Sequence, residues 1–243
     1  MSQKTEHPPL PEAFAKLGVR NSVLRGLAEA KFETPSEIQS MLIPRALAGV
    51  DILGQARTGT GKTAAFGIPI LCQAVKGLGF QAMILVPTRE LAVQVEAEIK
   101  RIGAYTPLRT VAVYGGQRIS AQMKFLKHNP EIIVGTPGRV IDLLDRRILS
   151  LANIRFVVLD EVDRMLDIGF RDDIRNILSR IESVRAKIRR AEAEEEPANT
   201  DSSTAEGAPA DAQQAEQAPS APQRHQTIFV SATISDEIER LAR

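Results

Sequence analysis

The sequence has very little of what an extracellular or membrane protein needs. It contains one cysteine, Cys72, so no internal disulfide can form, and this suits a reducing cytoplasm. Its first ten residues are polar and include no apolar run of the kind that signal peptides carry. No stretch of about 18 apolar residues occurs, so no membrane-spanning helix is predicted. We therefore expect a cytoplasmic protein that does not enter a membrane.

Aromatic residues and histidines are also scarce, which limits the kinds of core and site that can form. Aromatic residues make up 4% of the chain and tryptophan is absent, whereas 43% of the residues are hydrophobic. A chain of 243 residues can therefore bury a sizeable core, but that core must be mostly aliphatic. His7, His128 and His225 are too scattered to form a metal site.

Short apolar runs that are rich in Val and Ile recur along most of the chain. They are continuous rather than alternating, which is typical of strands that are covered on both faces of a parallel sheet. Amphipathic patterns such as Leu91, Val95 and Ile99 lie between them and predict helices. The sequence therefore predicts an α/β fold with a mostly parallel central sheet flanked by helices. The predicted strands are Asp51–Ala56, Ala82–Pro87, Thr110–Tyr114, Ile132–Gly135, Phe156–Asp160 and Thr227–Ser231.

Residues 191–223 have a different composition from the rest of the chain. They are rich in Ala, Pro, Gln, Ser and Glu and lack Leu, Ile, Val and aromatic residues, so we predict a disordered acidic insert. The insert holds eight acidic residues and no basic one, which leaves the rest of the chain with nine more basic than acidic residues despite a total net charge of +1. A basic body fits a phosphate-rich partner, although solubility alone is a simpler explanation. The domain is then expected at 11–190 and 224–243, after a flexible tail at 1–10.

A phosphate-binding loop is the strongest single feature of the sequence. The segment Ala56–Thr63 follows an apolar run and opens a helical pattern, which is the context that such a loop requires. Lys62 would reach the β- and γ-phosphates of a nucleotide, and the Thr63 hydroxyl would ligate Mg²⁺. A glycine-rich turn with a chance Lys-Thr pair is the simpler alternative. The predicted phosphate contacts are Ala56, Thr58, Gly59, Thr60, Gly61, Lys62 and Thr63.

Two acidic residues follow the predicted strand Phe156–Asp160. Asp160 would hold Mg²⁺ through its water shell, and Glu161 would polarise the attacking water as a general base. Acidic residues after a strand also cap the following helix, so this pair becomes specific only together with the phosphate loop. The predicted catalytic residues are therefore Lys62, Asp160 and Glu161.

Seven ordered segments resemble the motifs of the DEAD-box helicase family. The resemblance implies a RecA-like P-loop domain that uses ATP and Mg²⁺ to couple nucleotide hydrolysis to local unwinding of RNA duplexes. Two other classes stay open: a DNA-directed motor ATPase of the same superfamily, and a non-catalytic scaffold. The segments and the motifs they resemble are Phe32–Gln39 (Q motif), Ala56–Thr63 (motif I), Pro87–Leu91 (motif Ia), Gly115–Gly116 (GG), Thr136–Arg139 (motif Ib), Asp160–Asp163 (motif II) and Ser231–Thr233 (motif III).

The resemblance also assigns roles to individual residues. Gln39 would read adenine, because an amide offers the donor and the acceptor that N7 and N6 require. Phe14 or Phe32 would stack on the base, although simple core packing explains Phe32 equally well. Asp163 in motif II, together with Ser231 and Thr233 in motif III, would couple this domain to its partner domain.

The RNA-binding residues that the resemblance implies all follow predicted strands. Hydroxyls, backbone N–H groups and arginines at such positions bind phosphate oxygens without reading base sequence. Arg89 would also fit an ordinary solvated helix start. The residues concerned are Pro87, Thr88, Arg89, Gly116, Thr136, Pro137, Gly138 and Arg139.

The sequence departs from the family pattern in several places. Val162 replaces Ala in motif II, Arg57 stands where Gln is usual, and Lys31 stands where Gly is usual. The insert lengthens the segment between motifs II and III, which is short in the family. The family's second RecA-like domain, with its arginine fingers and half of the RNA site, is not in this sequence, so we expect the chain to be one half of a larger motor.

A helix is predicted before the insert, because apolar residues recur at helical spacing from Ile174 to Ile188. We expect this helix to run to about Ala191 and to project an apolar stripe with a basic flank beyond the domain body. Residues 181–223 would then bind a protein partner or add an RNA contact with which the acidic insert competes. The simpler alternative is that the stripe folds back onto the domain and that the insert is merely tolerated.

Overall fold

The computed structural model describes residues 8–57, 59–195 and 225–242. Within this part, six strands form one sheet in the order β1-β6-β5-β2-β4-β3. All pairings are parallel, so the predicted parallel α/β architecture is confirmed. Each predicted strand is present, with ends shifted by no more than a residue or two. The strands are β1 Ile52–Gln55, β2 Ala82–Leu85, β3 Thr110–Val113, β4 Ile132–Gly135, β5 Phe156–Asp160 and β6 Gln226–Ser231.

Helices cover both faces of the sheet. None of the described helices combines the length and the apolar composition that a bilayer crossing requires. The helices are α1 Glu12–Ala15, α2 Asn21–Glu29, α3 Glu37–Leu47, α4 Lys62–Gln73, α5 Arg89–Ile102, α6 Ile119–Leu126, α7 Pro137–Asp145, α8 Val162–Ile168, α9 Arg171–Glu195 and α10 Asp236–Leu241.

Two aliphatic cores result, one on each face of the sheet. Successive residues of a strand point to opposite faces, so Val158 lies in the core under α1–α5 while Val157 and Leu159 lie in the core under α6–α10. Every residue of β2, β4 and β5 is buried. The predicted strands therefore read as continuous apolar runs because both faces of the sheet are covered.

Helix α9 differs from its prediction in two respects. It ends at Glu195, four residues beyond the expected end, because the residues that begin the predicted insert are all good helix formers. As far as Val184 its apolar stripe does not project: Ile181 is fully buried and Val184 packs against the core under α6–α10. Arg185 is also buried and donates a hydrogen bond to the carbonyl of Ile154, which fastens the helix to the loop before β5. The rest of the predicted insert, and residues 1–7 of the predicted tail, lie outside the described residues.

A buried carboxylate ties together the amino-terminal ends of β3 and β4. Glu131 is fully buried; its Oε1 accepts from the N–H of Gly77 at 2.9 Å, and its Oε2 accepts from the N–H of Arg109 at 2.8 Å. The Arg109 guanidinium lies 3.4 Å away. Burial alone would raise the pKa of Glu131, but these donors outweigh burial and hold it below its ordinary value.

We expect Glu131→Ala to lower the free energy of unfolding by about 1–3 kcal/mol, since it leaves the N–H groups of Gly77 and Arg109 without their acceptor. Denaturant unfolding measures this, with Glu33→Ala at an exposed position as the control. A group whose pKa is depressed by folding stabilises the fold above its unfolded pKa and loses that effect as pH falls. The stability gap between the wild type and Glu131→Gln should therefore narrow as pH falls below the ordinary value of 4.5. A gap that widens in acid would contradict the assignment.

Candidate functional site

All the predicted site residues that the structure describes, apart from the two phenylalanines, lie near the carboxyl ends of the strands. The sheet order divides them into two groups. Strands β1, β6 and β5 carry the phosphate loop and motifs III and II, whereas β2, β4 and β3 carry the three segments predicted to bind RNA. In parallel α/β sheets, ligands bind at this edge. The residues predicted to bind the nucleotide and those predicted to bind RNA therefore lie side by side across the β5–β2 boundary, and we call these groups the nucleotide half and the polyanion half.

The phosphate loop joins β1 to α4 and is shaped by two glycines in the left-handed region. Gly59 and Gly61 have φ of 82° and 86°, which only glycine adopts without strain. A Cβ on Gly61 would also lie 2.4 Å from the Gln39 side-chain nitrogen. Helix α4 begins at Lys62, so its free N–H groups face the loop and favour an anion. Thr58, a predicted phosphate contact, lies outside the described residues.

Gln39 lies against the phosphate loop and is only 3% exposed. Its Oε1 accepts from the N–H of Ser36 at 2.9 Å, and its Nε2 donates to the carbonyl of Gly61 at 3.1 Å. The Ser36 hydroxyl donates to the carbonyl of Thr60 at 2.8 Å. The predicted adenine reader thus fastens the start of α3 to the loop, while its second N–H and the second lone pair of its oxygen stay available for a base.

Lys62 and Asp160 form a buried ion pair at the mouth of the loop. Their side chains are 6% and 3% exposed, and Lys62 Nζ lies 3.7 Å from Asp160 Oδ1. Burial raises the pKa of Asp160 to about 6, an effect that the Glu161 charge strengthens and the Lys62 charge opposes. The pair brings together two of the three residues that the sequence predicts to be catalytic.

The residues at this point fit a magnesium ion. Asp160 Oδ1 is buried and accepts no hydrogen bond, so this hard oxygen donor is engaged only by the Lys62 charge 3.7 Å away. The described residues contain no cluster of three or more acidic, histidine or cysteine side chains that would hold a metal by themselves. Mg²⁺ commonly takes only one or two protein oxygens and completes its shell with phosphates and water. Asp160 and the Thr63 hydroxyl would be those protein groups.

Glu161, the predicted general base, occupies an uncommon backbone conformation. Its φ of 56° and ψ of 51° are left-handed, which costs a non-glycine residue of order 1–3 kcal/mol. Its carboxylate lies 3.4 Å from the Arg164 guanidinium. The next residue, Val162, is fully buried in the core under α6–α10. The methyl groups that Val162 adds, relative to the family's Ala, therefore point away from Asp160 and Glu161.

The three residues predicted to couple domains are brought together by hydrogen bonds. The N–H of Asp163 donates to the Ser231 hydroxyl at 3.2 Å, and the N–H and hydroxyl of Thr233 donate to Asp163 Oδ2 at 3.0 and 2.9 Å. Burial alone would raise the pKa of Asp163, but these donors lower it below its ordinary value. Gln55, which sequence reasoning missed, extends the link by donating to the carbonyl of Ala232 at 3.1 Å.

The two candidate aromatic residues differ in their accessibility. Phe14 is fully buried and packs edge-on against Phe32, with ring centroids 6.2 Å apart. Phe14 therefore presents no face to a base in this conformation, because its ring completes the core under α1–α5. Phe32 is half-buried and lies beneath the Arg101 guanidinium at 5.4 Å. A cleft of about 520 Å³ opens beside the phosphate loop and is lined in part by Ser36, Ile38, Met41, Arg57 and Thr60.

The predicted RNA-binding residues are not equally available in the other half of the edge. Arg89, Gly116 and Gly138 are exposed. Pro87 and Pro137 are buried, so they shape the backbone rather than touch a ligand. The Thr88 hydroxyl accepts from the N–H of Leu91 and caps α5, whereas the Thr136 hydroxyl makes no such cap on α7. Arg139 is only 11% exposed and is held by Gln117 and Gln122, two residues without a predicted role.

Comparison with known proteins agrees with this arrangement. Residues 36–241 match the family model described as DEAD/DEAH box helicase. The chain is 40% identical over 230 residues to the DEAD-box ATP-dependent RNA helicase CshA of Bacillus cereus, covering 94% of this chain and 36% of that protein. The CshA of Geobacillus kaustophilus is 47% identical over 173 residues, which cover 71% of this chain and 37% of the relative. The chain thus spans about a third of the length of the curated relatives it matches.

Solved structures show the same fold. A DEAD box protein from the hyperthermophile Methanococcus jannaschii superposes with a TM-score of 0.73 at 32% identity, covering 95% of this chain and 52% of that one. The yeast DEAD-box splicing factor Prp28 also gives a TM-score of 0.73, at 29% identity, with 92% and 47% of the two chains covered. The predicted RecA-like α/β fold is therefore confirmed. Because the family model matches most of the length of this chain, the chain belongs to the DEAD/DEAH box helicase family.

Proposed function

We propose that this chain is the ATP-binding half of an ATP-dependent RNA helicase. The observation that carries the proposal is the buried pair of Lys62 and Asp160, 3.7 Å apart, at the end of a glycine-shaped phosphate loop. A cation and a metal-binding carboxylate side by side at a phosphate loop are what phosphoryl transfer from a nucleotide requires. The family's relatives named as RNA helicases support the choice of RNA over DNA.

Each residue of the nucleotide half has a proposed role. Lys62 neutralises the terminal phosphates, while Asp160 and Thr63 would hold Mg²⁺, which would supply positive charge to offset the negative charge of the phosphates. Glu161 accepts a proton from the attacking water. Asp163, Ser231 and Thr233 form a hydrogen-bonded unit that links this chemistry to a second RecA-like domain.

The other half of the edge is proposed to hold an RNA backbone. Exposed Arg89 and the open turn at Gly116 lie at the ends of neighbouring strands with Thr136 and Gly138. Donors of this kind bind phosphates without reading bases, so binding should be insensitive to RNA sequence. A protein partner at residues 181–223 stays a prediction, as does an RNA contact there.

A nucleotide titration tests the proposal. Calorimetry should show that the chain binds Mg-ATP more tightly than Mg-GTP, and Gln39→Ala should lower ATP affinity by roughly tenfold and narrow that preference, because the hydrogen bonds of the amide to the base and to the loop are removed. Gln94→Ala, at an exposed position on α5, is the control. Equal affinity of the wild-type chain for the two nucleotides would rule out adenine reading by Gln39.

A further inference from the structure

A buried glutamine organises the half of the edge proposed to bind RNA. Gln122 on α6 is 2% exposed. Its Nε2 donates to the carbonyl of Tyr114 at 2.9 Å and to Gln117 Oε1 at 3.0 Å, and its Oε1 accepts from Arg139 Nη1 at 3.0 Å. One amide thereby joins the end of β3, the turn at Gly115–Gly116 and the start of α7.

Arg139 is turned into this network rather than toward solvent. Its Nη2 donates to the carbonyl of Gln117 at 3.0 Å, and its Nε lies 3.8 Å from the Asp142 carboxylate. Both terminal nitrogens are thus engaged by protein acceptors, and the side chain is 11% exposed. A phosphate would have to displace these partners before it met the guanidinium.

Arg89 shows the opposite arrangement. It is exposed, and in the part of the chain that the structure describes its side chain makes no hydrogen bond or ion pair. Its guanidinium lies over the Tyr114 ring, 5.1 Å from the centroid. Stacking of this kind orients an arginine while leaving its N–H edge open to a phosphate. The carbonyl of the same Tyr114 is held by Gln122, so the network that engages Arg139 also places the platform under Arg89.

We infer that Gln122 and Arg139 are positioning residues that fix the Gly115–Gly116 turn and Tyr114, and that Arg89 is the arginine that meets the RNA backbone. This inference rests on the proposed RNA-binding function. The sequence motifs assign RNA binding to both arginines, whereas this inference assigns it to Arg89 and gives Arg139 a positioning role. The alternative, in which Arg139 releases Gln122 and binds phosphate, is one outcome of the following test.

The salt dependence of RNA binding separates a phosphate ligand from a positioning residue. Fluorescence anisotropy with a labelled single-stranded oligouridylate measures affinity over a salt series. Arg89→Ala should reduce the slope of log affinity against log salt by about 0.7, the value for one neutralised phosphate on a single strand. Arg139→Ala and Gln122→Ala should weaken binding roughly twofold to tenfold, the cost of ordering the turn on binding, and leave the slope unchanged. A decrease of slope in Arg139→Ala equal to that in Arg89→Ala would overturn the inference.

Thermal unfolding tests the network without RNA. Gln122→Ala and Arg139→Ala should each lower the Tm, and the double variant should lose no more than the larger of the two, because either change breaks the same unit. Arg89→Ala and the exposed Gln94→Ala should leave the Tm unchanged. Additive losses in the double variant would show that the two residues act independently and would refute the inference. A wild-type chain that binds no RNA at low salt would refute the proposed function instead, while the unfolding cycle still tests the network.

Discussion

Replacing Lys62 with alanine is expected to abolish measurable nucleotide binding by this chain. The Lys62 ammonium is buried beside the predicted phosphate loop at the start of α4, so its removal would leave a bound phosphate anion desolvated and without its cation. Truncating such a charged partner costs about 2–5 kcal/mol of binding free energy. Calorimetric titration with Mg-ATP measures the loss, and Lys76→Ala, at an exposed lysine beyond the end of α4, is the control.

The same substitution should also destabilise the fold, because it leaves Asp160 without its cation. We expect a decrease of about 3 kcal/mol in the free energy of unfolding, the lower end for a buried ion pair that loses one partner. Lys62→Ala combined with Asp160→Asn removes both charges, and it should recover the Tm without recovering binding. ATP affinity within about threefold of wild type in a folded Lys62→Ala variant would contradict the assigned role. A threefold change in affinity corresponds to a loss of binding free energy well under the roughly 2 kcal/mol expected.

The 243-residue chain by itself should hydrolyse ATP about 10³–10⁵ times more slowly than a complete two-domain relative with RNA present. The reason is that the family resemblance places the arginine fingers, which stabilise charge on the transferring phosphoryl group, in the second domain. Steady-state phosphate release with saturating ATP and RNA measures the rate, and Glu161→Gln supplies the background. Rapid RNA-stimulated turnover by the chain alone would show that it carries a complete site.

The strands could be predicted well because tertiary packing here agrees with local composition. Strands β2, β4 and β5 are buried on both faces, so each had to be continuously apolar, and continuous apolar runs are easy to recognise. The phosphate loop was equally recognisable, because Gly59 and Gly61 adopt left-handed conformations that few other residues tolerate. In contrast, the end of α9 was misplaced by four residues, since helix-forming residues continue past the point where composition changes.

The residues that sequence reasoning missed are uncharged and belong to no phosphate-binding pattern. Gln55, Gln117 and Gln122 act through hydrogen bonds to backbone carbonyls or to each other. A glutamine on an amphipathic helix reads as a solvated residue until the fold buries it, as happens to Gln122. The prediction of a projecting stripe on α9 was wrong at Val184 for a similar reason, because only the fold brings the core under α6–α10 against this residue.

Local spacing and side-chain chemistry were sufficient to establish the parallel α/β class and the family, and to predict the phosphate loop and the acids Asp160 and Glu161, because few other arrangements require such patterns. The order of the strands came from the three-dimensional fold alone. That order places the nucleotide groups on β1, β6 and β5 beside the polyanion groups on β2, β4 and β3. The fold also encloses Phe14 within the core and turns Arg139 inward while Arg89 stays open, because burial and hydrogen-bond partners come from residues distant in the chain.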